Sequence, residues 1–376
     1  MKNIKMRMIR ITMIFLVLLS LSTFQSKAQD ITTITTGVPF LMISPDARGG
    51  SMGDAGVASA PDANSMYWNP AKFAFIEKDM GLVVGYSPWL RELVDDIGLS
   101  NLVFYKKLDD MQTVAATFRY FSLGDIQFMD GQGTNLGTFQ PNEFAIDAAY
   151  SRKLSDNLSL AVAGRFIYSN LTLGQEAGGQ ETRPGTSYAA DVAMYYQHEV
   201  GLGPTDGLFA FGVNISNIGA KISYTDAVEK DFIPTNLRLG PSLKLELDSY
   251  NEISFSLDAN KLLVPTPPEM DPENEGVILN GMDDNVSVIT GIFQSFYDAP
   301  GGFSEELREI SLAFGTEYWY DDTFALRAGY FYEDETKGNR NYFTAGAGLK
   351  YNVFQLDFSY LIPTGQKSPL DNTLRF

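Results

Sequence analysis

From residue 79 onward the chain repeatedly alternates large apolar residues with small or polar ones. The clearest segment places Leu158, Leu160, Val162, Gly164, Phe166 and Tyr168 on one side, with Ser159, Ala161, Ala163, Arg165 and Ser169 on the other. The same division sets Val114, Ala116, Phe118 and Tyr120 against Thr117 and Arg119. It also sets Phe324, Leu326, Ala328, Tyr330 and Tyr332 against Arg327 and Glu333, and Phe354, Leu356, Phe358 and Tyr360 against Gln355, Asp357 and Ser359. Many segments exceed the about 9–11 residues that cross a bilayer on a tilt, longer than most strands of soluble sandwiches. The pattern predicts an all-β transmembrane antiparallel barrel.

Connection lengths give that barrel a direction. Short turns rich in Asp, Asn and Ser fall at 108–111, 155–157, 248–251, 321–323 and 351–353. Longer connections alternate with them, at 87–96, 130–135, 174–185, 226–234, 265–304, 336–340 and 363–371. Outer-membrane barrels keep short turns in the periplasm and long loops outside, which predicts about fourteen strands with the N-terminal segment on the periplasmic side. In this scheme 201–207 is one longer periplasmic turn, and the last strand, 372–376, is short and ends in Phe376.

Two regions break the alternation. Residues 29–78, rich in Gly, Ala, Ser and Pro, read as a hatch that plugs or lines the lumen of the barrel at 79–376. The external loop 265–304 is too long to be a mere connector. Within it Val286, Ile289, Ile292, Phe293 and Phe296 have helical spacing, which predicts a short amphipathic helix over the barrel mouth. Its apolar residues either pack on neighbouring loops or are offered to a protein partner. Trp89 and Leu90 in the first external loop pose the same question, with Trp89 either an anchor at the membrane interface or a contact residue.

The first residues set the compartment. Lys2, Lys5, Arg7 and Arg10 precede an apolar run at 11–21 and the small-residue site Ser26-Lys27-Ala28, so 1–28 reads as a secretory signal peptide. The formal net charge of −18 becomes more negative once those four residues and Lys27 are removed, which argues against a nucleic-acid partner. Aromatics at 13% and abundant Gly, with no long apolar run after the signal peptide, suit a barrel facing outer-membrane lipid rather than a helical membrane protein. With no cysteine there are no disulfides and no thiolate metal sites.

Candidates for chemistry are few, and no cofactor, metal or catalytic residue is expected. His198 is the single histidine, so multi-histidine metal sites are excluded and a Ser-His-Asp set has little to build on. The run Arg48-Gly49-Gly50-Ser51-Met52-Gly53-Asp54 lacks the Gly-Lys-Ser/Thr of a phosphate loop, and its plainer reading is a tight plug in which Arg48 meets lumen carboxylates. Asp271, Glu273, Glu275, Asp283 and Asp284 lack calcium-loop spacing. Arg119, Arg165, Asp191, Arg238, Lys244, Asp258, Glu317, Arg327 and Asp357 are expected to face the lumen, where mixed signs favour ion pairs that close it over a pore's selectivity filter.

Asp46-Ala47-Arg48-Gly49-Gly50-Ser51-Met52-Gly53-Asp54-Ala55-Gly56, followed by Tyr67-Trp68-Asn69-Pro70-Ala71, resembles the hatch of FadL-type barrels. Together with Pro141-Asn142-Glu143-Phe144-Ala145 and 150–157, it is similar to the PorV (LptO) family of the Bacteroidetes type IX secretion system. The resemblance covers nearly the whole mature chain. It implies a fourteen-stranded, non-enzymatic barrel in the outer membrane of a Gram-negative bacterium. Such a barrel binds the C-terminal domains of secreted cargo at the SprA (Sov) translocon and shuttles them to the PorU sortase. It makes Arg48, Gly49, Gly50, Gly53, Asp54, Asn69, Pro70 and Ala71 hatch residues. Docking on external loops would then fall to Trp89, Leu90, Ile289, Ile292, Phe293 and Phe296. The alternatives are a FadL-like transporter of long-chain fatty acids or other hydrophobic small molecules, needing an apolar path past the hatch, and a passive porin.

Overall fold

The computed structural model describes residues 33–376 except 92, 93, 95, 130, 176–180, 204, 226–229, 275, 366 and 367. The expected signal peptide at 1–28 and Glu275 lie outside the described residues.

The barrel begins with β1 (Met80–Pro88), β2 (Gly98–Lys107) and β3 (Gln112–Ser122), and an external hairpin follows, β4 (Ile126–Met129) with β5 (Asn135–Phe139). The wall continues through β6 (Asn142–Lys153), β7 (Leu158–Asn170), β8 (Gly185–Leu202), β9 (Thr205–Gly219), β10 (Asn236–Glu246) and β11 (Asn251–Leu262). A second external hairpin, β12 (Glu269–Met270) with β13 (Ile278–Asn280), precedes β14 (Ile310–Tyr320), β15 (Phe324–Tyr332), β16 (Tyr342–Tyr351), β17 (Phe354–Pro363) and β18 (Leu374–Arg375). Without the two hairpins these form one 14-stranded sheet in sequence order. Its ends meet where the Tyr86 and Phe376 amides each donate to the other's carbonyl, at 3.1 and 3.0 Å.

Burial runs opposite to that of a soluble protein. Along β7 the buried positions are Ser159, Ala161, Ala163, Arg165, Ile167 and Ser169, while Leu160 and Val162 are exposed. Small and polar residues therefore face inward and large apolar ones face lipid, as a closed barrel in hydrocarbon requires. Aromatic rings of adjacent strands meet on this outer face, Phe144 with Tyr168 at 4.9 Å and Phe166 with Tyr188 at 5.4 Å, as part of an interfacial girdle.

The periplasmic turns are tight. Asp321 and Asp322 between β14 and β15 both have positive φ, as does Asn352 between β16 and β17, a conformation short polar side chains tolerate. The expected longer turn at 201–207 is instead mostly strand. Gly201 pairs with Asp206 and Leu202 with Thr205, so β8 and β9 run on as a two-stranded ribbon that reverses at Gly203, φ 72°.

The N-terminal segment lies inside the barrel. Val38, Phe40 and Leu41 are buried among Leu99, Phe121, Ala145, Ile167, Ala189, Ile222 and Ile233 in the external half. Helix α1 (Ala47–Ser51) lies against β15, β16 and β17. After α2 (Ser65–Trp68) comes a 3₁₀ helix, Pro70–Phe75, in which the Ala71 carbonyl accepts the Ser151 and Ser159 hydroxyls near the periplasmic ends of β6 and β7.

Candidate functional site

Two assemblies stand out, a charged lock between the N-terminal segment and the wall, and an external cap. The lock begins with Asp46, whose carboxylate caps α1 by accepting the Arg48 and Gly49 amides at 2.7 and 3.1 Å and takes the Trp68 indole N–H at 2.5 Å. Gly49 and Gly56 lie under the Trp68 ring, where a Cβ on either would fall within 2.4 Å of it. Arg48 is thereby aimed at the wall. Its Nε and Nη2 donate to the two oxygens of Glu317 at 2.9 and 2.7 Å, and its Nη1 donates to Asp62 at 2.8 Å. Arg327 approaches Glu317 from the neighbouring strand at 2.6 Å and reaches Asp357 at 2.7 Å.

Asp54 accepts from Arg375 Nη1 at 2.9 Å and from the Tyr342 hydroxyl at 2.5 Å. Asn69 spans to the wall, its Nδ2 donating to the Val57 and Met194 carbonyls, both at 2.9 Å, while Oδ1 accepts the Ala71 amide at 3.0 Å. Pro70 opens the 3₁₀ helix, where its missing N–H costs nothing. Asp258 of β11 accepts the Gly56 and Val57 amides at 2.7 and 2.8 Å.

A second network crosses β3, β6, β7 and β8. Asp147 pairs with Arg119 at 3.3 Å and Arg165 at 2.5 Å, and Arg165 also holds Asp191 at 3.0 Å. Asp191 sits at a β-bulge opposite β9 and also accepts the Asn217 amide at 2.8 Å. Arg238 donates to Asn260 at 2.7 Å. Lys244 shares the inward side of β10 with Arg238 and Ser242 and is partly exposed near the strand's periplasmic end, beside Glu246 and Glu252. Between the segment and the wall, a cavity of about 10 Å³ lined by Asn64, Met66, Tyr67, Asn101, Val103, Thr117, Arg119 and Asp147 has room for about one water.

The cap covers 263–309. Helix α3 (Val288–Gln294) starts at Ser287, whose hydroxyl accepts the Thr290 amide at 3.2 Å, and α4 (Phe303–Arg308) follows. The amphipathic face of α3 is turned outward. Ile289 and Phe293 are 61% and 66% exposed, and Phe296 and Tyr297 continue the apolar side. The inward side is small or polar: Gly291 faces Phe232 and Pro265, and buried Gln294 donates to the Asp283 carbonyl at 2.7 Å.

What holds the cap is ionic. Lys261 of β11 reaches Glu306 at 3.0 Å and Glu309 at 2.6 Å, and Lys337 reaches Glu305 at 2.6 Å and Glu309 at 3.0 Å. Thr266 adds a hydroxyl to Glu309 at 2.6 Å. Beneath them burial pushes the Asp298 carboxyl up to about 6, with the nearby Glu306 and Glu309 acting in the same direction.

Of the other loop residues read from sequence, Ile292 is half-buried, as are Trp89 and Leu90; Trp89 packs on the apolar cluster around Leu99 and Phe121. Sequence reasoning missed exposed Phe303 and Leu307 on α4 and exposed Met270, Ile278 and Leu279 on the β12–β13 hairpin. The four-residue spacing of Phe303 and Leu307 was the available signal.

The architecture defines an outer-membrane β-barrel whose lumen is occupied by its own N-terminal segment. The chain belongs to the PorV family, described as Type IX secretion system protein PorV, whose model matches residues 26–269. It is therefore a component of that secretion system in the outer membrane of a Gram-negative bacterium. No curated protein matches it. Among solved structures it is similar to the Pseudomonas putida toluene transporter TodX at 10% identity, covering 92% of this chain and 97% of that one with a TM-score of 0.48. It is also similar to the Ralstonia pickettii toluene transporter TbuX, at 11% identity over 89% and 95% of the two chains with a TM-score of 0.43. A Pseudomonas aeruginosa FadL homologue matches at 10% identity over 92% and 95%, with a TM-score of 0.40. Helix α3 lies beyond the residues the family model matches.

Proposed function

We propose that this barrel works by binding rather than by catalysis. In this reading its external face holds the C-terminal domains of secreted cargo as they leave the SprA (Sov) translocon and presents them to the PorU sortase. The observation that carries the reading is the orientation of α3, with Ile289, Phe293, Phe296 and Tyr297 facing outward on a frame fixed by Lys261 and Lys337. An apolar surface held rigidly toward solvent is the kind a protein partner covers. Trp89 and Leu90 would support the neighbouring rim.

The test is purification of the tagged protein from outer membranes in mild detergent, with mass spectrometry of what accompanies it. The reading expects a giant translocon barrel, a sortase-like protease or secreted proteins sharing a C-terminal domain. The double substitution Ile289→Ser with Phe293→Ser should reduce their recovery severalfold without lowering the amount of barrel. Purification alone with a bound fatty acid would instead favour a transporter of hydrophobic small molecules, a reading opposed by the ion-paired lumen.

A further inference from the structure

The route of the N-terminal segment runs from outside inward. The Gly37 amide donates to the Phe232 carbonyl at 2.8 Å, and a Cβ on Gly37 would meet the Ile222 side chain at 2.5 Å. Both partners belong to the connection between β9 and β10, which lies at the external end. There Ile222 and Asp231 pair through two backbone hydrogen bonds of 2.8 and 2.9 Å. Val38 is buried against Ile222 and Ile233, whereas Thr33 and Thr35 are exposed. From this mouth the chain passes Arg48 and Glu317, reaches Ala71 beside Ser151 and Ser159, and leaves the lumen at the periplasmic rim to begin β1.

We infer that the polypeptide enters its barrel from the cell-surface end, so that 33–36 stands on the outside and forms part of the docking face beside Phe232, against which Gly291 of α3 also lies. A segment that only closed the periplasmic entrance would have no reason to reach the external loop. This one spans the barrel's depth and is fixed along the way by Asp258, Glu317 and Asn69. The docking half of the inference rests on the function proposed above; the topological half rests on barrel geometry alone.

The absence of cysteine makes the test clean. Single-cysteine variants Thr33→Cys, Leu136→Cys on the external hairpin and Asn352→Cys in a periplasmic turn are exposed, in intact cells, to a polymer-linked maleimide too large to cross the outer membrane. Thr35→Cys serves as a second reporter in case Thr33→Cys assembles poorly. The inference expects Thr33→Cys to label as fast as Leu136→Cys, with Asn352→Cys reacting only after the membrane is opened. Polymer attached at residue 33, but not at 136, should lower recovery of secreted proteins severalfold. Labelling of Thr33→Cys only after opening overturns the topology. Labelling in intact cells with unchanged recovery overturns its part in docking. If unmodified barrel recovers no secreted protein while the three labels behave as expected, the proposed function fails and the topology stands.

Discussion

Arg48 and Glu317 stand 269 residues apart in sequence, yet they form a two-pronged ion pair inside the barrel at 2.7 and 2.9 Å, with both side chains buried. The pair joins the N-terminal segment to β14, and Arg327 backs it from β15. A buried pair of this kind adds little net stability over apolar packing, but removing one partner strands the other. Its role is to hold the segment in one place.

Arg48→Met should therefore destabilise the barrel by about 2–4 kcal/mol, toward the lower end because Arg327 still faces Glu317. The midpoint of heat-induced unfolding in detergent reads this directly. Adding Glu317→Gln should cost less than it does in the native barrel, because the coupling energy of two contacting residues is present only when both are there. Planar-bilayer recordings should show no steady conductance from the native barrel and intermittent openings from Arg48→Met. An identical trace for the two would show that Arg48 does not keep the lumen closed.

Gly329 gives a sharper steric test. A Cβ there would lie 2.1 Å from the Gly53 nitrogen and the Met52 carbonyl carbon, both backbone atoms that cannot swing aside. Gly329→Ala must separate the N-terminal segment from β15 and should sharply reduce folded barrel in outer membranes. Gly164→Ala, on the lipid face with nothing within 4 Å, should leave it unchanged. Equal yields of heat-modifiable barrel from the two variants would contradict this close approach.

The wall was legible because a period of two is imposed by the strand itself. Once Leu160 and Val162 share a face, Ala161 and Arg165 must share the other. The charges of both signs on that inner face announced ion pairs within the lumen, and Arg119, Arg165, Glu317 and Arg327 take part in them. Their particular partners were not legible, since alternation gives the face but not the register that sets Asp191 diagonally across from Arg165 on the neighbouring strand. The α3 stripe was readable as helical, but periodicity carries no information about which side meets the protein. That choice shows in Gly291, set against Phe232 and Pro265, and in Gln294, buried on the Asp283 carbonyl, contacts the helical spacing of the apolar residues does not encode. The turn at Gly203 was misjudged for a related reason: Gly201 and Thr205 gain strand structure from each other, not from local preference.

Helix α3 offers a contrast between its two sides. Exposed Ile289 and Phe293 make few internal contacts, so serine at both should shift unfolding by less than about 0.5 kcal/mol each. Gln294 is buried and holds the Asp283 carbonyl, so Gln294→Leu should cost about 1–3 kcal/mol locally by leaving that carbonyl without its partner. Amide hydrogen exchange across 283–297 distinguishes them, and faster exchange in the serine variant would mean that the apolar side packs rather than docks.

Asp298 makes the cap sensitive to pH. It is buried, accepts the Thr266 amide at 3.2 Å, and its carboxyl titrates near 6 instead of at the ordinary 3.8. When the cap opens, the carboxyl regains the ordinary value, so between 3.8 and about 6 the closed cap holds a proton that the open one has lost. Closure therefore carries no ionisation cost below 3.8, loses stability as pH rises through this window, and carries the whole cost above about 6. The cost is on the order of 1–3 kcal/mol, set by the size of the shift. Asp298→Asn keeps the side chain's shape and removes the charge, so it should slow amide exchange across 287–309 at pH 7.5 by roughly tenfold, following that energy, and leave exchange at pH 4 nearly unchanged. The native cap should exchange faster at pH 7.5 than at pH 5 after correction for intrinsic rates, a comparison made above the ordinary glutamate range so that the lysine pairs of the cap are kept. A native profile that is flat across this range, or an asparagine variant that opens more readily at neutral pH, would mean that Asp298 is ionised in the closed cap and helps to hold it.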